Sequence, residues 1–287
     1  MTTIAEAIQK AAVRLAAHKV PDAHWDAELL LCHALGRDRA WLLIHMQDPI
    51  ADQGRRIYEQ CVDQRATREP LQYITGLQEF WGLPFFVSTD VLIPRPETEL
   101  IVERTLSSTG TNDLPIIVDL CTGSGCVAVS LAKELRRARI FATDLSGAAL
   151  DIARRNALQN GVAERIRFLE GDLFTPLSRL DLIGRIDVIT ANPPYIRNDE
   201  LPHLQPEVRD FEPEMALISG PTGTEIAERI IHAAATYLRP GGSLIMEMGL
   251  GQAEALRKFI VYTGQYIAIE VLKDLAGIER VIAARKT

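Results

Sequence analysis

Residues 116–125 read IIVDLCTGSG, and this stretch decides the fold. Its apolar first half predicts a buried strand, and its second half predicts a tight turn that opens a helix. The turn comprises Cys121, Thr122, Gly123, Ser124 and Gly125. Glycine permits close approach of a ligand to the backbone, and a helix N-terminus offers free N–H groups. The pattern fits neither the dinucleotide G-x-G-x-x-G nor the P-loop, because Cys121 stands first and no Gly-Lys-Ser/Thr follows.

Strand and helix patterns alternate from Pro115 to the end of the chain. The predicted strands are Ile116–Cys121, Arg139–Asp144, Ile166–Glu170, Ile186–Thr190, Gly242–Met248, Ala268–Lys273 and Arg280–Ala284. The predicted helices are Gly125–Arg136, Ala148–Asn160, Thr224–Leu238 and Gln252–Tyr262. This alternation predicts a doubly wound α/β sheet whose last two strands form an antiparallel hairpin. Such sheets bind ligands beyond the carboxyl ends of their strands, so functional residues should directly follow strands.

The N-terminal part has a different pattern and predicts helices only. Thr3 and Glu6 form a capping box, Gly36 ends a second helix, and Asp52–Arg68 predicts a fourth, exposed helix. Aromatic and β-branched residues follow Pro70 and predict a hairpin near Trp81-Gly82. We therefore predict a helical substrate-docking domain at 1–70, a linker with a β-hairpin at 71–94, and a catalytic domain at 95–287.

Composition and charge weigh against several classes of function. The chain has 287 residues and a net charge of −7, and nine basic against ten acidic residues fall within 1–75. Neither part has the basic excess that drives binding to nucleic acid. The four cysteines and six histidines show no metal-ligand spacing, and no apolar run reaches the ~18 residues of a membrane span. We therefore expect a cytoplasmic protein with no metal, no membrane and no direct nucleic-acid substrate.

Acidic residues follow the second and third strands of the predicted sheet. Asp144 lies 19 residues beyond Gly125, where a carboxylate can accept hydrogen bonds from two ribose hydroxyls. The alternative role for Asp144 is a cap for the next helix. Asp172 could accept from the exocyclic amine of a purine while Leu173 packs on the ring. The alternative for Asp172 is an ordinary turn carboxylate.

The segment after the fourth strand carries the reaction chemistry. It comprises Asn192, Pro193, Pro194 and Tyr195. Two prolines lock the backbone, so the carbonyls of Asn192 and Pro193 can converge on one NH2 group while Tyr195 offers a flat face to a planar substrate. Acceptors outside the plane of an amide or aniline-like nitrogen localise its lone pair as the transition state forms. The segment therefore predicts catalysis at a planar amino nitrogen.

These motifs together resemble class I S-adenosylmethionine-dependent N-methyltransferases, and further stretches resemble the PrmC/HemK family. The additional stretches are Pro70–Gly76, Phe80–Leu83, Ile93–Glu99, Phe211–Pro213 and Ala216-Leu217. The resemblance is dense from about residue 70 to 285. It implies a Rossmann-like methyltransferase domain joined to a small N-terminal helical bundle by a β-hairpin linker. That family methylates the side-chain nitrogen (N5) of glutamine in the Gly-Gly-Gln motif of peptide-chain release factors.

The resemblance also implies the roles of the motifs. Residues 121–125 would line the methionine part of S-adenosylmethionine, Asp144 would hold the ribose, and Asp172-Leu173 would flank the adenine. Asn192–Tyr195 would hold the glutamine amide, with Asn192 also lining the cofactor site. The family has glycine where this chain has Cys121, and the side chain restricts positive φ. Arg95, Glu97 and Glu99 begin a helix, and the family motif allows them a place at the rim of the site.

Three alternatives to this function stay open at this point. A glutamine methyltransferase acting on a ribosomal protein would share every motif. An adenine-N6 methyltransferase would share the Asn192–Tyr195 chemistry but would require a basic target domain. A cofactor-binding module without turnover would have no need of the Asn192–Tyr195 segment.

Overall fold

The computed structural model describes residues 2–109 and 114–287, which divide into two compact units. Unit 1 runs up to Leu77 and includes the later segment Gln205–Phe211, and unit 2 comprises Gln78–Leu204 and Glu212–Thr287. These boundaries differ from those predicted at 70 and 94, because most of the hairpin belongs to the same unit as the sheet. The roles predicted for the three segments are not tested by this division and stay predictions.

Unit 1 is a small helical bundle. Its helices are α1 (Ile4–Ala17), α2 (Ala23–Leu35), α3 (Arg39–Ile44), α4 (Asp52–Ala66), α5 (Leu71–Thr75) and α9 (Pro206–Arg209). The Thr3–Glu6 capping box is present at the start of α1. The prediction that α4 is exposed is wrong: Tyr58, Cys61 and Val62 are buried in the bundle. Their i, i+3, i+4 spacing places these few apolar residues on one face of an otherwise polar helix.

A largely buried ion-pair network joins the segment Gln205–Phe211 to the rest of unit 1, with Arg65 and Asp26 buried and Arg68 and Glu207 partly buried. The Arg65 guanidinium donates to Asp26 at 2.7 Å and to Glu207 at 3.0 Å. Arg68 donates to both oxygens of Glu207, at 2.7 and 2.6 Å. Buried charges require partners of this kind, so the fold of unit 1 depends on a short segment from a distant part of the chain.

Unit 2 contains a seven-stranded sheet. Its strands are β3 (Ile116–Leu120), β4 (Arg139–Asp144), β5 (Ile166–Glu170), β6 (Ile186–Ala191), β9 (Leu238–Glu247), β10 (Tyr266–Lys273) and β11 (Glu279–Lys286). They lie in the order β10-β11-β9-β6-β3-β4-β5. The pairs from β5 to β9 are parallel, and β11 pairs antiparallel with both β9 and β10. The doubly wound sheet and the terminal antiparallel hairpin are therefore confirmed.

Helices cover both faces of this sheet. They are α6 (Glu99–Thr109), α7 (Cys126–Glu134), α8 (Gly147–Gln159), α10 (Glu225–Tyr237) and α11 (Ala253–Thr263). Ile117 belongs to the hydrophobic cluster that includes residues of α6 and α7, whereas the adjacent Val118 belongs to the cluster that includes residues of α10 and α11. Both side chains are fully buried. Strand residues point alternately to the two faces, so an uninterrupted apolar run is what a sheet buried on both sides requires.

The predicted hairpin is present as β1 (Leu77–Phe80) and β2 (Leu83–Phe86). Its two turn residues, Trp81 and Gly82, have φ of 54° and 66°, as a two-residue hairpin turn requires. The buried Asn156 of α8 accepts from the Phe86 N–H at 2.7 Å and donates to the Phe86 carbonyl at 3.0 Å. The hairpin is therefore fastened to α8 through its backbone.

The start of β9 differs from the prediction. Pro240-Gly241-Gly242 is not a turn before the strand but lies inside β9, which begins at Leu238. The pairing with β6 shifts there, from Ile186 opposite Leu238 to Val188 opposite Ser243, and Gly241 has a φ of 74°. Glycine tolerates the bulge that this shift creates, so the strand continues through a segment whose composition is typical of a turn. Two further short strands, β7 (Ile196–Arg197) and β8 (Ile218–Gly220), form a separate parallel pair.

Candidate active site

A cavity of about 460 Å³ lies in unit 2 beyond the carboxyl ends of β3, β4, β5 and β6. This is the position that the sheet topology predicts, between β3 and the strands on either side of it. The predicted site residues that line it are Cys121, Thr122, Gly123, Ser124, Asp144, Asp172, Leu173, Asn192 and Pro194. Gly125, Pro193 and Tyr195 were also predicted at the site, and they lie outside this lining.

The two glycines of the β3–α7 turn have different surroundings. Both have positive φ, 54° at Gly123 and 79° at Gly125. A Cβ added to Gly123 would have no heavy atom within 4 Å, whereas one added to Gly125 would lie 3.0 Å from Ala153 Cβ. Gly123 therefore leaves space in the cavity, and Gly125 permits close packing of the turn on α8.

Cys121 adopts the backbone conformation that glycine would favour. Its φ is 53°, in the left-handed region that a side chain restricts, so the cysteine does not alter the handedness of the turn. Burial raises the pKa of the Cys121 thiol above its usual value, and the nearby Asp144 and Asp119 carboxylates add to the effect. A thiol held neutral in this way is a poor nucleophile.

Asp119 is a buried carboxyl beneath this turn that the sequence prediction did not include among the site residues. It accepts hydrogen bonds from the Thr122 hydroxyl at 2.6 Å and from the Thr190 hydroxyl at 2.8 Å. Burial raises the pKa of Asp119 to about 6, although both hydroxyl contacts act in the opposite direction. The carboxyl thereby joins the end of β3 to the turn and to β6.

Asp144 combines a structural role with free acceptor capacity. Its carboxylate accepts the Gly123 N–H at 2.8 Å and the Ser146 N–H at 2.9 Å. The cap of α8 is instead Ser146, whose hydroxyl accepts from the Ala149 N–H. An ionised carboxylate offers about four acceptor positions, so these two bonds do not exhaust it, and Asp144 lines the cavity. Burial raises the pKa of Asp144, and the backbone N–H groups lower it.

Asp172 has a partner that the sequence did not reveal. The Arg229 guanidinium on α10 donates to the Asp172 carboxylate, and both residues line the cavity. The adjacent Leu173 has a φ of 48°, and its carbonyl accepts from the Thr143 hydroxyl at 3.1 Å. The turn after β5 is thus fastened to the end of β4, with one acidic and one basic side chain at its rim.

Asn192 follows β6 and is held from behind by two buried residues. Its side-chain N–H donates to the Thr98 hydroxyl at 3.2 Å, and Thr98 in turn donates to Glu247 at 2.6 Å. Ala191 of β6 pairs with Met246 of β9, so Asn192 and Glu247, which come next in the sequence, lie at the same end of the sheet. Burial raises the pKa of Glu247 to about 7.

Tyr195 does not face the cavity. Its hydroxyl faces the Glu247 carboxyl, and its carbonyl accepts from the Gln252 side chain at 2.8 Å. Burial raises the pKa of the Tyr195 phenol above its usual value, and the Glu247 carboxyl raises it further. The structure therefore brings Asn192 and Pro194 to the cavity and places Tyr195 behind them.

Arg95, Glu97 and Glu99 precede or begin α6, as the sequence indicates. Arg95 donates to the buried Glu212 at 2.6 Å, and the Glu99 carboxylate accepts from the Trp81 N–H at 2.7 Å. None of these three residues lines the cavity, whereas the adjacent Thr98 does. The motif thus contributes its threonine to the site.

Four residues of the site were not among the predicted site residues: Asp119, which belongs to the decisive stretch 116–125 but was given no binding role, and Thr98, Arg229 and Glu247. Glu247 ends a parallel strand, so the strand-end rule that singled out Asp144 could have found it. Thr98 lies within the Ile93–Glu99 motif, where the expected rim role fell on Arg95, Glu97 and Glu99 instead. Arg229 lies on a helix, where no local pattern marks it. Within residues 2–109 and 114–287, no group of three His, Cys, Asp or Glu side chains is placed to hold a metal ion. In the same residues, no helix is both long and apolar enough to cross a membrane.

Two family models match separate parts of the chain. Residues 6–76 match the PrmC N-terminal domain, and residues 117–211 match a methyltransferase domain family. Among solved structures, the hMettl16 catalytic domain has a TM-score of 0.59 at 19% identity, covering 77% of this chain and 81% of that one. A methyltransferase from Pyrococcus furiosus has a TM-score of 0.52 at 17% identity, covering 72% and 90%. These likenesses show the methyltransferase fold.

Curated relatives match nearly the whole chain. The release factor glutamine methyltransferase of Moorella thermoacetica is 41% identical over 98% of both chains. The enzyme of the same name from Cereibacter sphaeroides is 40% identical over 98% of both, and that of Geobacter sulfurreducens is 42% identical over 94% of this chain and 92% of its own. This chain therefore belongs to the release factor glutamine methyltransferase family, and S-adenosylmethionine is its methyl donor.

Proposed function

We propose that this chain transfers a methyl group from S-adenosylmethionine to the side-chain amide nitrogen (N5) of the glutamine in the Gly-Gly-Gln motif of peptide-chain release factors. The amide nitrogen gains the methyl group and loses one proton. The observation that carries the proposal is the amide of Asn192, whose N–H is engaged by Thr98 at the edge of a cavity that also contains Asp144. The names of the curated relatives support a release factor glutamine as the substrate.

The cavity fits the methyl donor. Its volume of about 460 Å³ lies in the range of small-molecule and cofactor sites, and one wall is an open glycine turn. Asp144 would hold the two ribose hydroxyls, residues 121–125 would line the methionine part, and Asp172 with Leu173 would flank the adenine. S-adenosylmethionine supplies a methyl group on a sulfonium, which is already an activated leaving group.

Asn192 acts on the nucleophile in this proposal. An amide nitrogen is a poor nucleophile because its lone pair is delocalised into the carbonyl. The Asn192 side-chain oxygen and the Pro193 carbonyl would each accept a hydrogen bond from the substrate NH2 group, from outside the amide plane. Tyr195 would pack behind Asn192–Pro194 and support them. Those contacts strengthen as the nitrogen becomes tetrahedral, so they lower the barrier rather than merely binding the substrate.

Two alternative substrates are less consistent with the chain. A nucleic acid would be attracted by excess positive charge, whereas the whole chain carries −7. A ribosomal-protein glutamine would fit the same chemistry, but the curated relatives are named for release factors. We place the reaction in the cytoplasm, with no membrane and no direct nucleic-acid substrate.

The test of this function uses labelled S-adenosylmethionine and an intact release factor. We expect one methyl group on the peptide that contains the Gly-Gly-Gln motif, and none on a release factor whose motif glutamine is replaced by glutamate, because a carboxylate has no NH2 group. Mass spectrometry of the digested substrate locates the methyl group. Methylation elsewhere on the glutamate variant, or of a ribosomal protein or DNA at a comparable rate, would contradict the proposal.

Unit 1 is proposed to dock the protein substrate. Three of its large apolar residues are exposed: Trp25 (48%), Leu43 (50%) and Ile44 (80%). The Arg39 guanidinium lies 4.4 Å from the centre of the Trp25 ring. Exposed aromatic and apolar residues beside arginine are typical of protein interfaces.

Ile44→Glu tests the docking role. We expect the KM for an intact release factor to rise about tenfold, which corresponds to ~1.4 kcal/mol of interface energy, with the KM for a short Gly-Gly-Gln peptide unchanged. Leu158→Glu is the matched control, because Leu158 is a similarly exposed residue of unit 2 (73% against 80% for Ile44). Equal KM values for Ile44→Glu and the wild type on the intact release factor would reject this surface.

A further inference from the structure

A chain of buried side chains stands behind the Asn192 amide. Asn192 donates to Thr98, and Thr98 donates to Glu247. Thr98 and Glu247 are only 1% and 3% exposed, so these two members of the hydrogen-bonded series are shielded from solvent. The one member that lies partly open is Asn192, which lines the cavity together with Thr98.

The donors and acceptors that each group offers fix the direction of these two hydrogen bonds. An ionised carboxylate can only accept, so the single hydrogen of the Thr98 hydroxyl is directed at Glu247. The Thr98 oxygen then presents lone pairs alone to Asn192, and only the NH2 half of the Asn192 amide can bond to it. Among the described residues, no group donates to the Asn192 oxygen, which is left to accept from a molecule in the cavity.

The opposite amide orientation would disable the site. With the side chain turned by half a revolution, the Asn192 oxygen would face the Thr98 lone pairs and its NH2 would face the substrate NH2. Both contacts would then be unpaired, one between two acceptors and one between two donors. Unpaired polar groups in a buried site are costly, so the orientation of Asn192 decides whether the substrate nitrogen is activated.

We propose that Glu247 and Thr98 are positioning residues that hold the Asn192 amide with its oxygen toward the substrate nitrogen. This inference rests on the amide methyl transfer proposed above. It assigns a function to Thr98, which directly precedes α6, and to Glu247, which ends β9. Neither residue touches the substrate nitrogen itself.

Protonation of Glu247 should remove the constraint on the orientation of the Asn192 amide. A neutral carboxyl can donate to Thr98, which frees the Thr98 hydrogen to bond the Asn192 oxygen and permits the reversed amide. The groups that face Glu247 are Glu97, which raises its pKa, and Thr98, Arg280 and Tyr195, which lower it. The Cys126 thiol also lies near this carboxylate. Because burial outweighs the lowering contacts, the pKa lies near 7, within the working range of pH.

The first test removes the Thr98 hydroxyl, which connects Asn192 to Glu247. Thr98→Val should lower kcat about tenfold to a hundredfold, because the Asn192 amide loses its fixed orientation, while affinity for S-adenosylmethionine changes little. Thr98→Ser should restore most of kcat relative to Thr98→Val. Thr105→Val is the matched control, since Thr105 is an equally buried threonine of α6 whose hydroxyl bonds only the Ile101 carbonyl. Wild-type kcat in Thr98→Val would overturn the proposal.

The second test follows pH. We expect wild-type kcat to fall as pH drops through about 7, and Glu247→Gln to show a flat profile at the low wild-type level. The side-chain amide resonance of Asn192, followed by NMR without substrate, should titrate with the same midpoint in the wild type and not in Glu247→Gln. An unchanged acid limb and an unchanged titration in Glu247→Gln would overturn the proposal.

These readouts separate the inference from the function on which it rests. A wild-type enzyme that fails to methylate the release factor glutamine refutes the proposed function. A wild-type enzyme that succeeds, while Thr98→Val and Glu247→Gln behave like it, refutes the positioning role alone. Should Glu247→Gln fail to fold, the Thr98→Val, Thr98→Ser and Thr105→Val comparison decides the question, because valine and threonine have nearly the same shape.

Discussion

Asn192→Ala should lower turnover by ~10²–10³, because it removes an acceptor whose contact with the substrate nitrogen strengthens only in the transition state. Affinity for S-adenosylmethionine should change much less than turnover does. Asn192 lines the cavity and its side-chain N–H donates to the Thr98 hydroxyl, so alanine also removes the donor to the Thr98 oxygen. Single-turnover kinetics with a release factor substrate, together with calorimetry of cofactor binding, measure the two effects separately.

The matched control for that prediction is Asn198→Ala. Asn198 is an exposed asparagine six positions further along, outside the cavity, and its backbone N–H rather than its side chain bonds Gly220. We expect wild-type turnover from it. An Asn192→Ala enzyme with nearly full turnover, or one whose loss lies wholly in cofactor affinity, would remove Asn192 from the catalytic machinery.

Asp144→Ala should weaken S-adenosylmethionine binding about ten- to a hundredfold. Loss of a charged hydrogen-bond partner costs roughly 1.5–3 kcal/mol, and the ribose hydroxyls would lose their acceptor. The same change also frees the N–H groups of Gly123 and Ser146, so some of the effect would arise from a looser turn. Calorimetry at matched temperature, with thermal unfolding recorded for each variant, measures both.

Asp151→Ala is the control for charge removal near the same helix. Asp151 is an exposed residue of α8 that pairs with Arg154, and it lies outside the cavity lining. Cofactor affinity should be unaffected in this variant. If Asp144→Ala binds the cofactor as tightly as Asp151→Ala does, the ribose assignment is wrong and Asp144 serves only the turn.

Most of the fold could be predicted from the sequence because its signals are local. Periodicity marks each strand and helix, and glycine or proline marks most boundaries. The strand-end rule then located Asp144, Asp172 and Asn192, all of which line one cavity. The same signals misled at Pro240-Gly241-Gly242, where pairing with β6 holds a turn-like segment inside a strand, and at α4, where three well-spaced apolar residues suffice to bury one face.

The pairings that complete the site lie beyond any local pattern. Thr98 and Glu247 are 149 residues apart, and Asp172 and Arg229 are 57 apart. Thr98 meets Glu247 because α6, which begins directly after Thr98, packs on β6 and β9. Asp172 meets Arg229 because α10 packs on the sheet with Arg229 at the cavity. Local sequence thus determined the elements, the edge of the sheet that carries the chemistry and the residues that follow each strand. Strand order and register, which depend on how whole elements pack, decided which buried side chain stands behind Asn192 and which way its amide faces.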